Sequence, residues 1–397
     1  MSLVVTPRPV INALDLRDIL TPLCGEQAID ICGVVRLPRH LPHTDEWLNW
    51  LHQNHHAGLE YMVRDPHGRA DPTRDRSWAR TLIVFAQRYA DGWSPDDMSA
   101  PRGLADNAPW TDGVSRFARG LDYHDVLRRG IRRVTTGLRE ELRRRNVVAA
   151  EQDIVTVDAV DAGPFLEREY AWLAGFGFYG KNTMLIHPKL GSAMSLGVAL
   201  TNLEVNGLDE VSRPLVGPAA LEMSDDGMMS LCGNCTRCLD ACPTDAFTEP
   251  WHLDASRCLS AWSIEWRGGA PEQERNKQGG LLFGCDICQS VCPWNHKAAR
   301  KLLGDIRPEY ETLTAHNELD LADLITMDPD MFRTRFRKTP LWRCHPEGMR
   351  RNALIVAANC GRTDLLPVIN RVVSDDTDAD VRAVAQWAAN ELEGRGS

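Results

Sequence analysis

The sequence predicts an α/β (α+β) fold class for the first part of the chain, followed by a cysteine-dense part and a helical part. The chain has 397 residues, and at roughly 100–200 residues per domain it is long enough for two or three hydrophobic cores. Aliphatic runs at residues 82–85 and 154–160 alternate with helix-like stretches, which is typical of layered helices and strands. The composition changes near residue 220 and again near residue 300. We therefore divide the chain into domains at residues 1–220, 221–300 and 301–397.

The composition is that of an ordinary globular protein. Hydrophobic residues make up 43% and charged residues 25% of the chain, so neither disorder nor a fibrous structure is expected. Apolar runs such as residues 82–86 are far shorter than the ~18 residues that span a bilayer, and the N-terminus lacks a signal-peptide pattern. We expect a cytoplasmic protein with no membrane segment. The net charge of -10 argues against nonspecific coating of nucleic acid.

The first domain carries a candidate acid at the end of a predicted strand. Asp161 directly follows the strand at residues 154–160, and Pro164 suits the first turn of a helix at residues 165–173. Because α/β sheets bind ligands at the carboxyl ends of strands, Asp161 is either an acid that faces a ligand or a helix cap, with equal weight. Upstream, residues 91–115 are rich in Asp, Pro, Gly and Ser and predict a long surface loop.

A glycine-rich segment follows the candidate acid. Residues 175–183 place three glycines within six residues, between aromatic side chains. This pattern predicts either a flexible turn or a close approach of the backbone to a large, flat ligand. The sequence contains neither a dinucleotide-binding glycine motif nor a P-loop.

Seven of the twelve cysteines fall in two runs with the spacing of bacterial ferredoxins, and an eighth, Cys258, lies between the runs. In the first run the cysteines are separated by two, two and three residues and are followed by a proline, which is typical of 4Fe–4S ligands. The second run lacks its first cysteine, which Cys258 supplies from upstream. The fourth cysteine of each run binds the other run's cluster. The predicted ligands of cluster one are Cys232, Cys235, Cys238 and Cys292, and those of cluster two are Cys242, Cys258, Cys285 and Cys288.

Zinc is the alternative occupant of these thiols, because four-cysteine zinc sites also use cysteines two residues apart. The three-residue gap and the following proline favour clusters. Two clusters in one small domain form an electron relay, which implies a redox site in the neighbouring α/β domain. The remaining cysteines lack such spacing and predict buried structural thiols, namely Cys24, Cys32, Cys344 and Cys360.

The third domain is predicted to be helical and carries a basic cluster. Residues 350–359, with Gly361 as a C-cap, and residues 380–388 both predict small-residue helices that resemble units of a helical repeat. Arginines are dense at residues 333–351 and also at residues 128–145. Each run is either a solvated helix face or a binding surface for phosphates.

Several segments together resemble one known family, the epoxyqueuosine reductases. The resemblance spans about residues 25–395, and its motifs occur in the family's order. The segments that carry it are residues 58–64 (Gly-Leu-Glu-Tyr-Met-x-Arg), 119–127, 161–168 and 175–183, both cysteine runs, and residues 285–295.

The resemblance implies a nitroreductase-like cobalamin domain, a two-cluster ferredoxin-like domain and a HEAT-like α-helical repeat that binds tRNA. It implies cobalamin bound with its lower base displaced and two 4Fe–4S clusters. The implied reaction reduces the epoxide of epoxyqueuosine, at the anticodon wobble position of tRNA, to queuosine, the final step of queuosine biosynthesis. An electron donor that the sequence does not identify would recharge the clusters, and we expect a monomer.

The resemblance also implies roles for individual residues. Asp161 matches the proton donor, and burial beside the corrin would raise its pKa. Some members of the family carry a cysteine over the corrin, but this chain has none between Cys32 and Cys232. The cofactor-binding positions implied are Arg64, Asp161, Asn182, Leu185, Leu196, Ser260, Gly269 and Ala270. The tRNA-binding positions, partly from the basic cluster, are Trp266, Arg350 and Arg351.

Three alternative functions remain at this level. A reductive dehalogenase-like enzyme also couples cobalamin to two clusters, but the lack of an export signal and the basic helical domain disfavour it. A non-catalytic electron carrier would bind no cobalamin. A zinc-based tRNA-binding adaptor would lack the brown colour of iron–sulfur clusters.

Overall fold

The computed structural model describes residues 9–90, 110–148, 153–219, 231–302 and 307–395. Most of the predicted 91–115 loop lies outside these residues, and its last part forms a short 3₁₀ helix at Trp110–Gly113. Among the described residues, no helix is both long and apolar enough to span a bilayer.

A four-stranded antiparallel sheet forms the centre of the first domain. Its order is β2 (Ile31–Arg36), β3 (Thr81–Arg88), β7 (Met194–Thr201) and β4 (Thr156–Ala159). Every neighbouring pair is antiparallel, so the domain has the α+β form of the predicted class rather than a parallel sheet. The short strands beside it are β1 (Val10–Asn12) with β8 (Glu204–Asn206), and β5 (Phe178–Tyr179) with β6 (Leu185–Ile186).

Helices cover both faces of this sheet. On β3, Ile83 and Phe85 point to one core, and Leu82 and Val84 point to the other, as the alternation of a strand requires. The first core is closed by α1 (Ala13–Glu26) and α5 (Tyr123–Arg144), and the second by α6 (Glu167–Leu173). Three short helices precede β3, namely α2 (Thr44–His52), α3 (Glu60–Val63) and α4 (Pro66–Ala70).

Two predicted boundaries in this domain differ from the structure. The predicted strand at residues 154–160 is the shorter β4, and the predicted helix at residues 165–173 begins only at Glu167. The intervening residues form a turn in which Asp161 adopts a φ of 54°. This turn delays the start of α6 past Pro164.

The cysteine-dense part is built from short elements, and six of its eight cysteines lie outside helices and strands. The elements are α7 (Arg237–Asp240), β9 (Phe247–Glu249), β10 (His252–Leu253), α8 (Leu259–Ile264), α9 (Ile287–Ser290) and α10 (Pro293–Leu302).

The C-terminal part is helical, as predicted. Its helices are α11 (Leu321–Ile325), α12 (Pro329–Phe336), α13 (His345–Asn359), α14 (Leu366–Asp375) and α15 (Ala379–Arg395). The two predicted helices correspond to α13 and α15, and Gly361, just beyond α13, has a φ of 70°, as a C-capping glycine does.

One hydrophobic core joins the C-terminal helices to the cysteine-dense part. It contains Trp262 and Phe283 from the cysteine-dense part together with Leu324, Leu354 and Val384 from the helices. Hydrogen bonds cross the same boundary, including Asn352 Nδ2 to the Ser263 carbonyl at 2.8 Å. The shared core therefore fixes these two parts relative to each other.

Candidate redox active site

Asp161 lies on the turn that follows β4, and its carboxylate is the centre of a polar group. The side chain is 62% exposed. Tyr123, the first residue of α5, donates its hydroxyl hydrogen bond to Asp161 Oδ2, and Nε2 of the adjacent His124 lies 3.7 Å from the same oxygen. Two side chains from the N-terminus of α5 therefore hold a carboxylate that faces solvent.

The α5 side chains are themselves held in place. Asp122 caps α5 and accepts from His124 Nδ1 at 2.7 Å, which leaves the other ring nitrogen turned toward Asp161. Burial alone would raise the pKa of Asp122, but its bonds with His124 outweigh burial and lower that pKa. Burial, and next the charge of Asp161, raise the pKa of the Tyr123 phenol well above its usual value. Tyr123 is thus a hydrogen-bond donor at any physiological pH.

A second carboxyl, Glu167, lies close enough to Asp161 for their charges to interact. Burial, followed by the charge of Asp161, raises the pKa of Glu167 from its ordinary 4.5 to about 8. Its Oε1 atom is buried and has no hydrogen-bond partner in the described structure. Glu167 is therefore a neutral acid near pH 7 with an unsatisfied polar atom.

Three other parts of the chain meet at the rim of this site. Burial, next the charge of Glu265, and further the charge of Asp161 raise the pKa of the Tyr61 phenol, so these groups lie near one another. Arg343 Nε donates to Glu265 Oε1 at 2.9 Å. Burial lowers the pKa of the Arg343 guanidinium, but the charges of Glu265 and its other anionic neighbours raise it by more, so the pKa is raised overall. Trp266 donates from Nε1 to the Ala57 carbonyl at 2.8 Å. The segment around Tyr61 and the C-terminal helical part thus frame Asp161.

Three of the predicted corrin-binding residues come from β7, β6 and the turn between β5 and β6. Leu196 stands two residues before Val198, the partner of Ala159 at the end of β4. Asn182 is buried and donates from Nδ2 to the Cys288 carbonyl at 3.0 Å, and Leu185 opens β6 in the adjacent core.

The other predicted corrin-binding residues come from α3 and the cysteine-dense part. Arg64 is exposed at the end of α3, and Ser260 lies in α8, two residues after Cys258. Gly269 has a φ of 68°, and a Cβ there would meet only the Arg351 side chain, at 3.5 Å or more. Ala270 is buried in the shared core.

The eight ferredoxin-type cysteines form two groups of neighbours. Burial, and next the charges of Cys292, Cys232 and Cys235, raise the pKa of Cys238 to about 12. Burial, and next the charges of Cys285, Cys258, Cys238 and Cys242, raise the pKa of Cys288. Apart from the one interaction between Cys288 and Cys238, these contacts keep to the two predicted ligand sets.

Zinc is the alternative to clusters at these thiols. In a four-cysteine zinc site all sulfurs bind one ion at about 2.3 Å, whereas the thiolates of a 4Fe–4S cluster bind different irons. The spacing of the cysteines and the proline after each run are what favour clusters.

The predicted tRNA-binding arginines are not free surface cations. Arg351 is 4% exposed, and its buried Nε has no hydrogen-bond partner among the described residues. Arg350 is 19% exposed on its side chain, pairs with the buried carboxylate of Asp376 and donates to the Ile325 carbonyl at 3.1 Å. Their assignment to tRNA binding stays a prediction, and their burial argues against direct contact. Arg343, which belongs to the same basic cluster, lies close enough to Asp161 for the charges of the two side chains to interact.

The sequence did not identify several residues of this site. Tyr61, Tyr123 and Arg343 stand in segments that were singled out, but nothing in their spacing reveals that they meet Asp161. Glu167 stands six residues after the predicted acid, at the start of a helical pattern, so the available signal was a carboxyl that the helix would bury.

Two protein families match parts of the chain. A family described as "4Fe-4S double cluster binding domain" matches residues 231–295. A family described as "Epoxyqueuosine reductase QueG, DUF1730" matches residues 69–152. The fold and the grouped thiols define a protein of the double 4Fe–4S cluster class joined to an α+β domain that carries an acid. The predicted iron–sulfur clusters are thereby confirmed at the level of the domain.

Relatives identify the family more closely. An epoxyqueuosine reductase of Synechococcus sp. (strain CC9605) is 32% identical over 343 residues, which cover 85% of this chain and 93% of that protein. The chain belongs to the epoxyqueuosine reductase family, and the predicted resemblance is confirmed.

Two solved structures are similar over 96% of this chain and 91% of theirs, each with a TM-score of 0.77. One, at 27% identity, is an epoxyqueuosine reductase with an epoxyqueuosine-modified tRNA-Tyr stem loop. The other, from Bacillus subtilis and 26% identical, has its catalytic aspartate loop swung out of the active site.

Proposed function

We propose that this protein reduces the epoxide of epoxyqueuosine in the wobble position of tRNA to queuosine, the final step of queuosine biosynthesis. The observation that carries the proposal is Asp161, an open carboxylate held by Tyr123 on the turn after β4, in a chain whose eight thiols form two groups. Membership of the epoxyqueuosine reductase family supports the same reaction.

We infer that the residues around Asp161 would hold cobalamin. Within the part of the chain that the structure describes, Glu167 Oε1 is a buried acceptor without a partner, which an amide on the rim of a corrin would satisfy. At Gly268 a Cβ would meet nothing within 4 Å, so the backbone of this loop can approach a flat ligand. When bound and reduced, cobalamin would supply a strong nucleophile toward carbon and an electron donor for opening an epoxide. The residues that would hold it are Arg64, Asp161, Asn182, Leu185, Leu196, Ser260, Gly269 and Ala270.

Two 4Fe–4S clusters would deliver the electrons. We assign cluster one to Cys232, Cys235, Cys238 and Cys292, and cluster two to the other four cysteines, which follows the ferredoxin exchange rule. Cluster two would be the nearer to the proposed corrin site, because Asn182 donates to the Cys288 carbonyl and Ser260 lies two residues after Cys258. An electron donor that the sequence does not identify would reduce the clusters.

Asp161 would supply a proton to the epoxide oxygen as the ring opens. The reaction consumes two electrons and two protons, and it leaves a carbon–carbon double bond and water. The Asp161 side chain is 62% exposed. Burial raises the pKa of a carboxyl, and for Asp161 this burial would come from the bound corrin and the substrate base. After transfer, the Tyr123 hydroxyl donates to the carboxylate that remains.

The substrate base would leave the anticodon loop to reach this site, as bases do in other enzymes that modify them. Tyr61 is 38% exposed at the rim and offers a ring on which a base can stack. Arg343, 43% exposed beside it, offers a cation for a phosphate. Trp266 lies half-buried in the same rim, and we keep it as a tRNA contact.

We further infer the finer classification of the parts. The sheet with helices on both faces supports a nitroreductase-like cobalamin domain within residues 1–220, and the thiol turns support a ferredoxin-like domain at residues 221–300. The packing of α14 and α13 against α15 supports a HEAT-like repeat within residues 301–397. We also propose that the protein is a cytoplasmic monomer.

The test is mass spectrometry of nucleosides from epoxyqueuosine-containing tRNA. The tRNA is incubated anaerobically with iron-loaded protein and a reductant, with and without cobalamin. Loss of one oxygen that depends on cobalamin is the expected result. Unchanged tRNA, with both clusters and cobalamin bound, would refute the proposed substrate and direct the search to other electrophiles, organohalides first.

A further inference from the structure

Lys181 is a buried cation that nothing in the proposed reaction uses. Its side chain belongs to the glycine-rich turn between β5 and β6, and the residue is 9% exposed. Its ammonium donates to the Gly233 carbonyl at 2.7 Å and lies 5.9 Å from the centre of the Trp251 ring. Gly233 directly follows Cys232, so the cation lies against the loop that holds cluster one.

The charge of Lys181 also reaches a predicted ligand residue. Gly233, whose carbonyl accepts from the ammonium, directly follows Cys232 in the chain. The next residue, Asn182, contacts Cys288 in cluster two through an uncharged amide. Adjacent residues therefore give the two clusters different electrostatic surroundings.

The position of Lys181 is fixed by its neighbours. Trp251 donates from its backbone to the Lys181 carbonyl at 3.0 Å and from Nε1 to the Tyr179 carbonyl at 3.1 Å. These bonds tie the β5–β6 turn to the segment between β9 and β10. A buried and fixed charge is screened far less by salt and water than an exposed one.

We propose that Lys181 raises the reduction potential of cluster one relative to cluster two. Reduction adds one negative charge to a cluster, and a cation held in a poorly hydrated site stabilises the reduced state more than the oxidised state. Cluster one would therefore be easier to reduce with Lys181 in place than without its charge. This inference rests on the proposed assignment of the cysteines.

The experiment is an anaerobic redox titration followed by electron paramagnetic resonance, with iron and sulfide measured on every sample. Lys181→Met removes the charge, and Lys181→Gln removes the charge but keeps a donor for the Gly233 carbonyl. Lys297→Met is the matched control, because Lys297 is an exposed cation 5.0 Å from the ring centre of Trp294, near Cys292.

In both Lys181 variants, one cluster signal should become about tenfold harder to reduce, a shift of about 59 mV for one electron. The second signal and the Lys297→Met control should keep the wild-type midpoints, and Lys181→Arg should restore the shifted one. Wild-type midpoints for both clusters in Lys181→Gln and Lys181→Met would overturn the inference. Wild-type protein without two four-iron clusters would instead overturn the cluster assignment on which it rests.

Discussion

At the scale of single residues, the backbone of Asp161 is as informative as its carboxyl. Its φ of 54° lies in the left-handed region, which favours glycine and costs other residues of order 1–3 kcal/mol unless the surroundings enforce it. Asp161 adopts this conformation on a turn, and Tyr123 of α5 donates to its carboxylate. We infer that Asp161 has a role other than stabilising the fold. The sequence placed Asp161 after a strand, but it could not reveal Tyr123 as its partner, because that contact depends on how α5 packs.

We predict that Asp161→Asn lowers turnover by ~100–10,000-fold, the usual contribution of a general acid. Asparagine fits the left-handed conformation, so the turn and the clusters should remain. Single-turnover formation of queuosine measures the rate, and the visible spectrum measures bound cobalamin. Wild-type turnover in a variant that still binds cobalamin would exclude Asp161 as the proton donor.

A second residue-scale prediction concerns pH and Glu167. Its pKa in the folded protein is about 8, against an ordinary 4.5, so the folded chain binds more protons than the unfolded chain between these values. The stability that neutral Glu167 contributes is complete below pH 4.5 and is lost as the pH rises through 8. The side chain in Glu167→Gln is neutral at every pH, so this variant should not lose that contribution to stability as the pH rises.

The free energy of unfolding by urea, measured anaerobically from pH 5 to 9, tests this. The stability of the wild type should fall relative to that of Glu167→Gln across this range. A constant difference between the two proteins would show that Glu167 ionises normally in the folded state.

At the scale of elements, the β5–β6 hairpin connects the sheet to both clusters. The sequence predicted that the glycines here form either a flexible turn or a backbone that closely approaches a flat ligand. The structure shows why one position, Gly177, needs a glycine. Gly177 has a φ of 151°, and a Cβ there would lie 2.1 Å from the Ile186 carbonyl oxygen. This approach is between two parts of the backbone rather than to a ligand, a distinction that local sequence does not contain.

We predict that Gly177→Ala destabilises the protein by at least ~1–3 kcal/mol, the usual cost of forcing atoms into a packed site. Because the hairpin carries Lys181 and Asn182, cluster iron content should fall as well. Gly25→Ala is the control: it lies in α1, where a Cβ meets nothing within 4 Å. Denaturant unfolding and iron analysis check both variants, and equal values would refute a backbone role for Gly177.

The 3₁₀ helix at Pro340–Cys344 gives a prediction about tRNA. Arg343→Gln should weaken binding of the anticodon stem loop several-fold and reduce the salt dependence by about one phosphate contact. Arg333→Gln is the control, since Arg333 is an exposed arginine of α12 that pairs with Asp330 at 3.0 Å. Fluorescence anisotropy at several salt concentrations measures both slopes. An equal salt dependence of binding in the two variants would show that Arg343 does not contact an RNA phosphate.

At the scale of the whole molecule, the sequence predicted the order of the parts but not how they join. Cysteine spacing is a local pattern, so the cluster domain could be predicted from it directly. The shared core could not, because Phe283 and Leu354 meet across about seventy residues through packing alone. For the same reason Arg351 looked like a surface cation within an arginine run, yet α13 turns it inward.

The shared core predicts that the C-terminal helices are required for the clusters. A chain ending at residue 302 would expose the side chains that α11, α13 and α15 cover, including Trp262 and Phe283. Each large apolar side chain contributes ~1.5–3 kcal/mol when buried, so a few of them exceed the ~5–15 kcal/mol by which domains are stable. We expect this chain to aggregate or to lose most of its iron, whereas a chain ending at residue 395 should match the full-length protein. Size-exclusion chromatography with iron and sulfide analysis measures both. A soluble 302-residue chain with two clusters would show that the helices are a separable domain.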